Sequence, residues 1–152
     1  MSVHEIFPYL CVADADAAAA FYCTVFGGTQ KLRLVEPGGR VGHIEVDLGC
    51  GVLMICDEYP EYDIRRPDPA AGTSLSIHLH VDNADTVVER ALAHGATLLM
   101  PLQDQFYGER GGVFRDPFGH RWNVGHSIET LSAEEMQRRY DALFAADGGA
   151  SK

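Results

Sequence analysis

Apolar and polar residues alternate without a break from Leu75 to Val81: Leu75, Ile77, Leu79 and Val81 fall on one face of an extended segment, and Ser76, His78 and His80 on the other. Side chains of a strand point to opposite faces in turn, so this period of two predicts a half-buried strand whose second face carries imidazoles. The period then changes. After Asp82-Asn83, the residues Val87, Val88, Ala91 and Leu92 recur at helical spacing until Gly95, which predicts an amphipathic helix capped by Asn83 or Asp85. The same grammar stands earlier in the chain. A short strand ending at Val12 leads to Asp14 or Asp16 as a cap, then to a helix with Ala17, Ala20, Phe21, Val25 and Phe26 on one side, stopped by Gly27-Gly28.

The stretches FPYLCVADADAAAAFYCTVFGGTQ and SIHLHVDNADTVVERALAHGATL are therefore two copies of one design. Strand-like segments follow each copy, at about 29–35, 41–48 and 51–56 in the first and 97–101, 112–115 and 120–126 in the second. Pro37-Gly38-Gly39, Gly49-Cys50-Gly51 and Asp116-Pro117-Phe118-Gly119 are the turn signals between them. The pattern predicts an α+β chain that forms a single domain, 1–152. Its parts are a βαβββ unit over about 4–58, a Pro-containing connection over 59–73, and a second unit over 74–127. A closing helix over about 132–146 starts at a Ser132-x-x-Glu135 capping box and spaces Met136, Tyr140 and Phe144 by four.

This repeat, with the run FYGERGGVFRDPFGHRWNVGHS, resembles the vicinal oxygen chelate superfamily of glyoxalase I, extradiol dioxygenases and bleomycin resistance proteins. The likeness is strongest to a bacterial glyoxalase-like branch that ends in a similar DPFGHRW strand and SAEEM-type helix, and it covers roughly residues 4–146. The resemblance implies paired βαβββ units forming a cupped mixed sheet around a cavity, usually in a homodimer that can exchange units between chains. The superfamily spans lyases, isomerases, dioxygenases and plain binders, so the site must decide the activity.

Composition narrows the partners. Hydrophobic residues make up 46%, enough for a real core, and 12 basic against 22 acidic residues give a formal charge of -10 with no basic cluster. Nucleic acid and anionic membrane are poor partners for such a chain, and a neutral or cationic ligand suits it better than a polyanion. No segment approaches the roughly 20 apolar residues of a membrane helix, and no basic-then-apolar leader opens the chain, so a cytoplasmic location is expected. Cys11, Cys23, Cys50 and Cys56 form no C-x-x-C pair and read as reduced structural thiols. Dinucleotide, Walker, nucleophile-elbow and H-E-x-x-H signatures are missing, which leaves nicotinamide, nucleotide-hydrolysis and serine-esterase chemistry unsupported.

Metal-dependent members of the superfamily carry a His or Glu on the first and last strand of each unit. Laid on the VAD, VDN and DPFG anchors, those positions here are Phe7, Met54, Ser76 and Asn123, none an imidazole or carboxylate, so neither metal nor other cofactor is expected. The alternative seat for a divalent metal is His78 with His80, and His43 with Glu45 forms a second donor pair, but no third and fourth donor is assured. Strand alternation turns Phe7, Tyr9, Cys11, Val52, Met54, Cys56, Arg121 and Asn123 inward, an apolar and aromatic wall with a few polar handles. Phe7, Tyr9 and Met54 would bury the aromatic part of a small organic ligand, with Ser76, His78, His80 and Asn123 to orient it. Phe7, Met54 and Cys56 read equally as core filling. The segment 105–112, QFYGERGG, reads as a loop beside a Gly-rich hinge that could cover the cavity mouth and place a phenol or carboxylate over the ligand; Tyr107 is taken as its ligand contact, and Glu109 and Arg110 read rather as solvated surface charges. These residues point to a metal-free small-molecule-binding protein. The alternative is a lyase, isomerase or dioxygenase-type enzyme using His78, His80 and Tyr107, and no catalytic residue is singled out.

Overall fold

The computed structural model describes residues 1–147, and the last positions of the 1–152 domain lie outside the described residues. The first unit runs β1 (Tyr9–Cys11), α1 (Ala15–Phe26), β2 (Thr29–Val35), β3 (Val41–Asp47) and β4 (Val52–Cys56). The second repeats it as β5 (Ser76–His80), α2 (Ala84–Ala93), β6 (Thr97–Asp104), β7 (Glu109–Arg115) and β8 (Arg121–Ser127), followed by α3 (Ala133–Asp147). The two four-stranded sheets have the orders β1-β4-β3-β2 and β5-β8-β7-β6. In each, the first strand pairs parallel with the fourth and the other pairs are antiparallel, so the sequence repeat is also a repeat of topology. None of the described helices is long and apolar enough to cross a membrane.

Of the candidate caps, Asp14 and Asn83 take the role. Asp14 Oδ1 accepts from the Ala17 amide at 2.9 Å and Asn83 Oδ1 from the Thr86 amide at 3.0 Å, bonds each worth about 1 kcal/mol to helix stability. Asp16 and Asp85 sit in the first turns instead, paired with Arg33 and Arg110. Gly27 stops α1 in the left-handed conformation, φ 75°, where a side chain would be strained.

Both helices cover one face of the sheets, and the residues they bury form one cluster. Leu10, Ile44, Val46, Leu53 and Ile55 of the first sheet share it with Phe114, Trp122 and Val124 of the second. Helix α1 reaches across the units, since the Phe26 ring lies 4.7 Å from that of Trp122. Buried Asp116 fastens the same junction: its carboxylate accepts from the Tyr22 hydroxyl at 2.6 Å, Trp122 Nε1 at 2.8 Å, and the Phe118 and His120 amides at 2.9 Å each. The turn Asp116-Pro117-Phe118-Gly119 is thus locked to the helix of the other unit. His120 adds a second tie, with Nε2 2.9 Å from the Cys11 carbonyl.

Two boundaries depart from the sequence expectation. β6 runs past Pro101 to Asp104, and β7 begins at Glu109 rather than near Gly112. β6 is an edge strand, where a proline need cost no ladder bond, and its register shifts between Met100 and Gln103. Gly111 and Gly112 are buried strand residues and not a hinge: a Cβ on Gly111 would come within 2.8 Å of the Val124 carbonyl oxygen, and one on Gly112 within 3.2 Å of Leu102. The expected loop over the mouth is consequently the tip of a β6–β7 hairpin. Its Gly108 carbonyl accepts from the Ile128 amide at 3.0 Å and the Glu129 amide at 3.1 Å, and α3 braces it through Arg139 on Glu129 at 2.8 Å and Tyr140 against Phe106.

The helix-free faces stay open. Every residue of β2 is exposed, and Leu32, Leu34 and Val35 there, with Leu98, Leu99 and Met100 on β6, leave apolar strips along both sheet edges.

Candidate binding site on the free face of the second sheet

Alternation along β5, β8 and β7 lays out three cross-strand rows on the free face. Ser76 pairs with Arg121 and that with Arg115; His78 with Asn123 and that with Val113; His80 with Gly125 and that with Gly111. Trp122, Val124 and Phe114 alternate with these and fill the core on the helix side. A recess of about 210 Å³ opens over the rows, lined by His78, Met100, Tyr107, Glu109, Arg121 and Asn123 among others, with Gly111 and Gly125 as floor.

Glu109 organises one end. Its carboxylate oxygens lie 3.3 Å from His80 Nε2 and 3.6 Å from His78 Nε2, so one acid spans both imidazoles. Gly125 makes room for it: a Cβ at that position would come within 2.9 Å of Glu109 Oε2 and 3.7 Å of His78 Nε2. Asn123 Oδ1, in the middle row, is buried without a hydrogen-bond partner, the one such side-chain atom among the described residues. An unmet buried polar group costs about 1–3 kcal/mol. Tyr107, at the hairpin tip, has its phenol pushed up by burial first and then by the Glu109 charge, so it stays a protonated donor at neutral pH. At the opposite end Arg121 Nη1 donates to Ser76 Oγ at 2.6 Å.

The sequence-derived site residues thus separate into two groups. His78, Tyr107 and Asn123 line this recess, with Ser76 and His80 joined to it through Arg121 and Glu109. Tyr9 and Met54 belong to the first sheet, where they are register partners, and Phe7 precedes β1. There the Tyr9 hydroxyl lies 2.9 Å from His43 Nδ1, and His43 Nε2 lies 3.2 Å from Glu45. Cys11 faces Cys56 across the β1–β4 ladder, its thiol pushed up to about 12 by burial and then by Cys56.

Glu109 and Arg110, expected as solvated charges, are instead both engaged, on opposite faces. Arg110 clamps Asp85 of α2 at 2.7 Å and Asp104 at 3.1 Å on the helix side, while Glu109 turns to the recess. The available signal was the period of two: a strand begun at Glu109 puts it on the face of Val113 and Arg110 on the face of Phe114. The metal of the family does not fit the residues at its usual positions. Met54 and Asn123 offer a thioether and a neutral amide there, and among the described residues no group of three or more His, Cys, Asp or Glu side chains is arranged to hold a metal ion. His78, His80 and Glu109 are neighbours without forming such a group.

Known proteins share this fold. An uncharacterized protein of Mycobacterium bovis is 35% identical over 133 residues, covering 86% of this chain and 88% of its own length. Protein PA1353 of Pseudomonas aeruginosa superposes with a TM-score of 0.68 at 28% identity, over 84% of this chain and 100% of that one. TioX of Micromonospora sp. ML1 superposes with a TM-score of 0.65 at 26% identity, over 83% of this chain and 100% of its own. The sequence profile of the Glyoxalase/Bleomycin resistance protein/Dioxygenase superfamily matches residues 3–124, and the chain belongs to that superfamily.

Proposed function

We propose that the chain is a cytoplasmic small-molecule-binding protein of the glyoxalase/bleomycin-resistance-like kind, whose organic ligand lies on the free face of the second sheet without the family's metal. The observation that carries this reading is Asn123. A buried amide oxygen left without a donor is costly, and an apolar residue of the same shape would remove the cost. A ligand N–H or O–H reaching Asn123 restores the balance, while Tyr107 and the imidazoles of His78 and His80 orient the rest of the molecule.

Alone, the recess is smaller and more open than pockets that bury a whole ligand. The apolar strips on β2 and β6 are the kind of surface a second copy covers, so the working unit of this proposal is a homodimer. A dimer that sets Phe7, Tyr9 and Met54 of one copy opposite the His78 row of the other would add an aromatic wall.

Glu109 favours a second reading, a lyase or isomerase. A carboxylate held between two imidazoles beside a protonated phenol is an acid/base set, and an enzyme would use His78, His80 and Tyr107 on a bound substrate. Protein-observed NMR with a panel of small planar compounds tests the binding reading. Saturable shifts at the His78, Asn123 and Gly125 amides, weakened in His78→Ala with little change in melting temperature, are expected. Binding confined to the first sheet, or a His78→Ala variant that melts earlier with unaltered affinity, overturns it. Chemical change of a bound compound during the titration selects the enzyme reading. Plasma mass spectrometry on untagged protein checks the metal: uptake near one equivalent, lost in a His78→Ala, His80→Ala double variant, would contradict a metal-free site.

A further inference from the structure

One end of this recess holds a cation without a counter-charge. Arg33, Arg40, Arg65, Arg66, Arg110, Arg138 and Arg139 each pair with a carboxylate at 3.3 Å or less. Arg90, Arg115 and Arg121 pair with none among the described residues, in a chain where acidic residues outnumber basic ones 22 to 12, and of these three Arg121 lines the recess while Arg90 donates to the Val25 carbonyl. The partners of Arg121 include no carboxylate and are neutral: Ser76 Oγ at 2.6 Å and the Met100 sulfur at 3.9 Å. A guanidinium has five N–H donors, so most of its capacity is uncommitted.

Its ladder partner on β7 sharpens the point. Arg115 stands directly opposite Arg121, and like charges at directly opposed positions destabilise a sheet. Arg115 lines a separate recess with Gly95 and Thr97, which leaves Arg121 as the guanidinium of the ligand recess. Glu109 closes the other end with a negative charge against the two imidazoles. The recess is therefore polarised along β8, from a cation at Arg121, through an orphaned acceptor at Asn123, to a carboxylate over Gly125.

We propose that the ligand is an organic monocarboxylate whose anionic group seats on Arg121 and whose hydrogen-bond donor meets Asn123. Residues two apart on one face of a strand are about 7 Å apart, which sets the separation of the two groups at single-ring size. A second anionic group at the far end would meet Glu109, so the charge is single and terminal. The net charge of -10 repels anions from the molecule as a whole, and the local cation at Arg121 is what admits one. The inference rests on the binding reading above and adds the chemical class to it.

The test compares 4-hydroxybenzoate with its neutral analogue 4-hydroxybenzamide on the full chain by protein-observed NMR. The acid should shift the Asn123 and Gly125 amides saturably and bind about tenfold or more tighter than the amide, the scale of one charge-assisted hydrogen bond. Arg121→Gln should erase that preference, Arg121→Lys should keep part of it, and added salt should weaken the acid alone. An amide that binds the recess as well as the acid, or an acid-to-amide ratio unchanged in Arg121→Gln, overturns the anion assignment and leaves the pocket standing. Silence from both probes overturns it too. The wider compound panel then separates the cases: other compounds shifting the same amides keep the pocket reading, and none doing so removes it as well.

Discussion

Replacing Asp116 by alanine should do more damage than any surface change. The carboxylate is the sole acceptor recorded for the Tyr22 hydroxyl and for Trp122 Nε1, both on fully buried side chains. Each donor orphaned in the core costs about 1–3 kcal/mol. The Phe118 and His120 amides lie nearer the surface and can turn to water, so we expect a loss of about 4 kcal/mol, about 2 kcal/mol for each of the two orphaned core donors. At about 2–4 °C per kcal/mol for a chain of this size, the melting point falls by about 10 °C. Trp122 is the only tryptophan and reports the junction directly, so urea unfolding followed by its fluorescence at fixed protein concentration is the assay. Tyr22→Phe should cost less, because three donors to the carboxylate remain. Tyr22 also sets a pH signature. Burial first, and Asp116 second, hold its phenol well above the ordinary value of 10.0. A folded pKa above the unfolded one gives a contribution that is whole below about pH 10 and declines as pH rises beyond it, and Tyr22→Phe should flatten that decline. A loss of under about 1 kcal/mol in Asp116→Ala would refute the view that this carboxylate joins the two units.

Gly125→Ala should fold, yet its Cβ would displace Glu109 from the imidazoles; NMR should show altered His78 and His80 ring signals and weakened ligand shifts, and unchanged rings would contradict the crowding. Alkylation mapped by mass spectrometry should modify exposed Cys50 first and Cys11 far later, since a thiol at about 12 holds little thiolate at neutral pH; comparable rates would contradict the burial of Cys11. Sedimentation should show a dimer that Leu34→Glu weakens or dissociates, because a charge then sits on an apolar strip assigned to the partner; a monomeric parent chain would remove the proposed partner wall.

Much of the second sheet was legible because its period is clean. Leu75 to Val81 alternates so regularly that the imidazole face could be assigned before any coordinates, and the two Asx caps fixed where each strand gives way to a helix. Pro101 and the glycine pair concealed the β6–β7 hairpin. Both are ordinary breakers, tolerated here because one lies on an edge and the others meet close backbone. The role of Glu109 was hidden for a different reason. Its partners stand on β5, which β8 separates from β7, and no local pattern records a pairing made through the sheet order. The missing partner of Asn123 is likewise a fact of burial, invisible in a string of residues.

The claim that Asn123 is kept for a ligand is tested most directly by Asn123→Leu, measured for stability and for binding together. An apolar side chain of similar shape removes the orphaned acceptor, so the variant should be more stable than the parent by about 1 kcal/mol in urea. Compounds that shift the Gly125 amide of the parent should no longer do so. A variant that is less stable and binds the same compounds unchanged would show Asn123 to be a structural residue and would contradict the account.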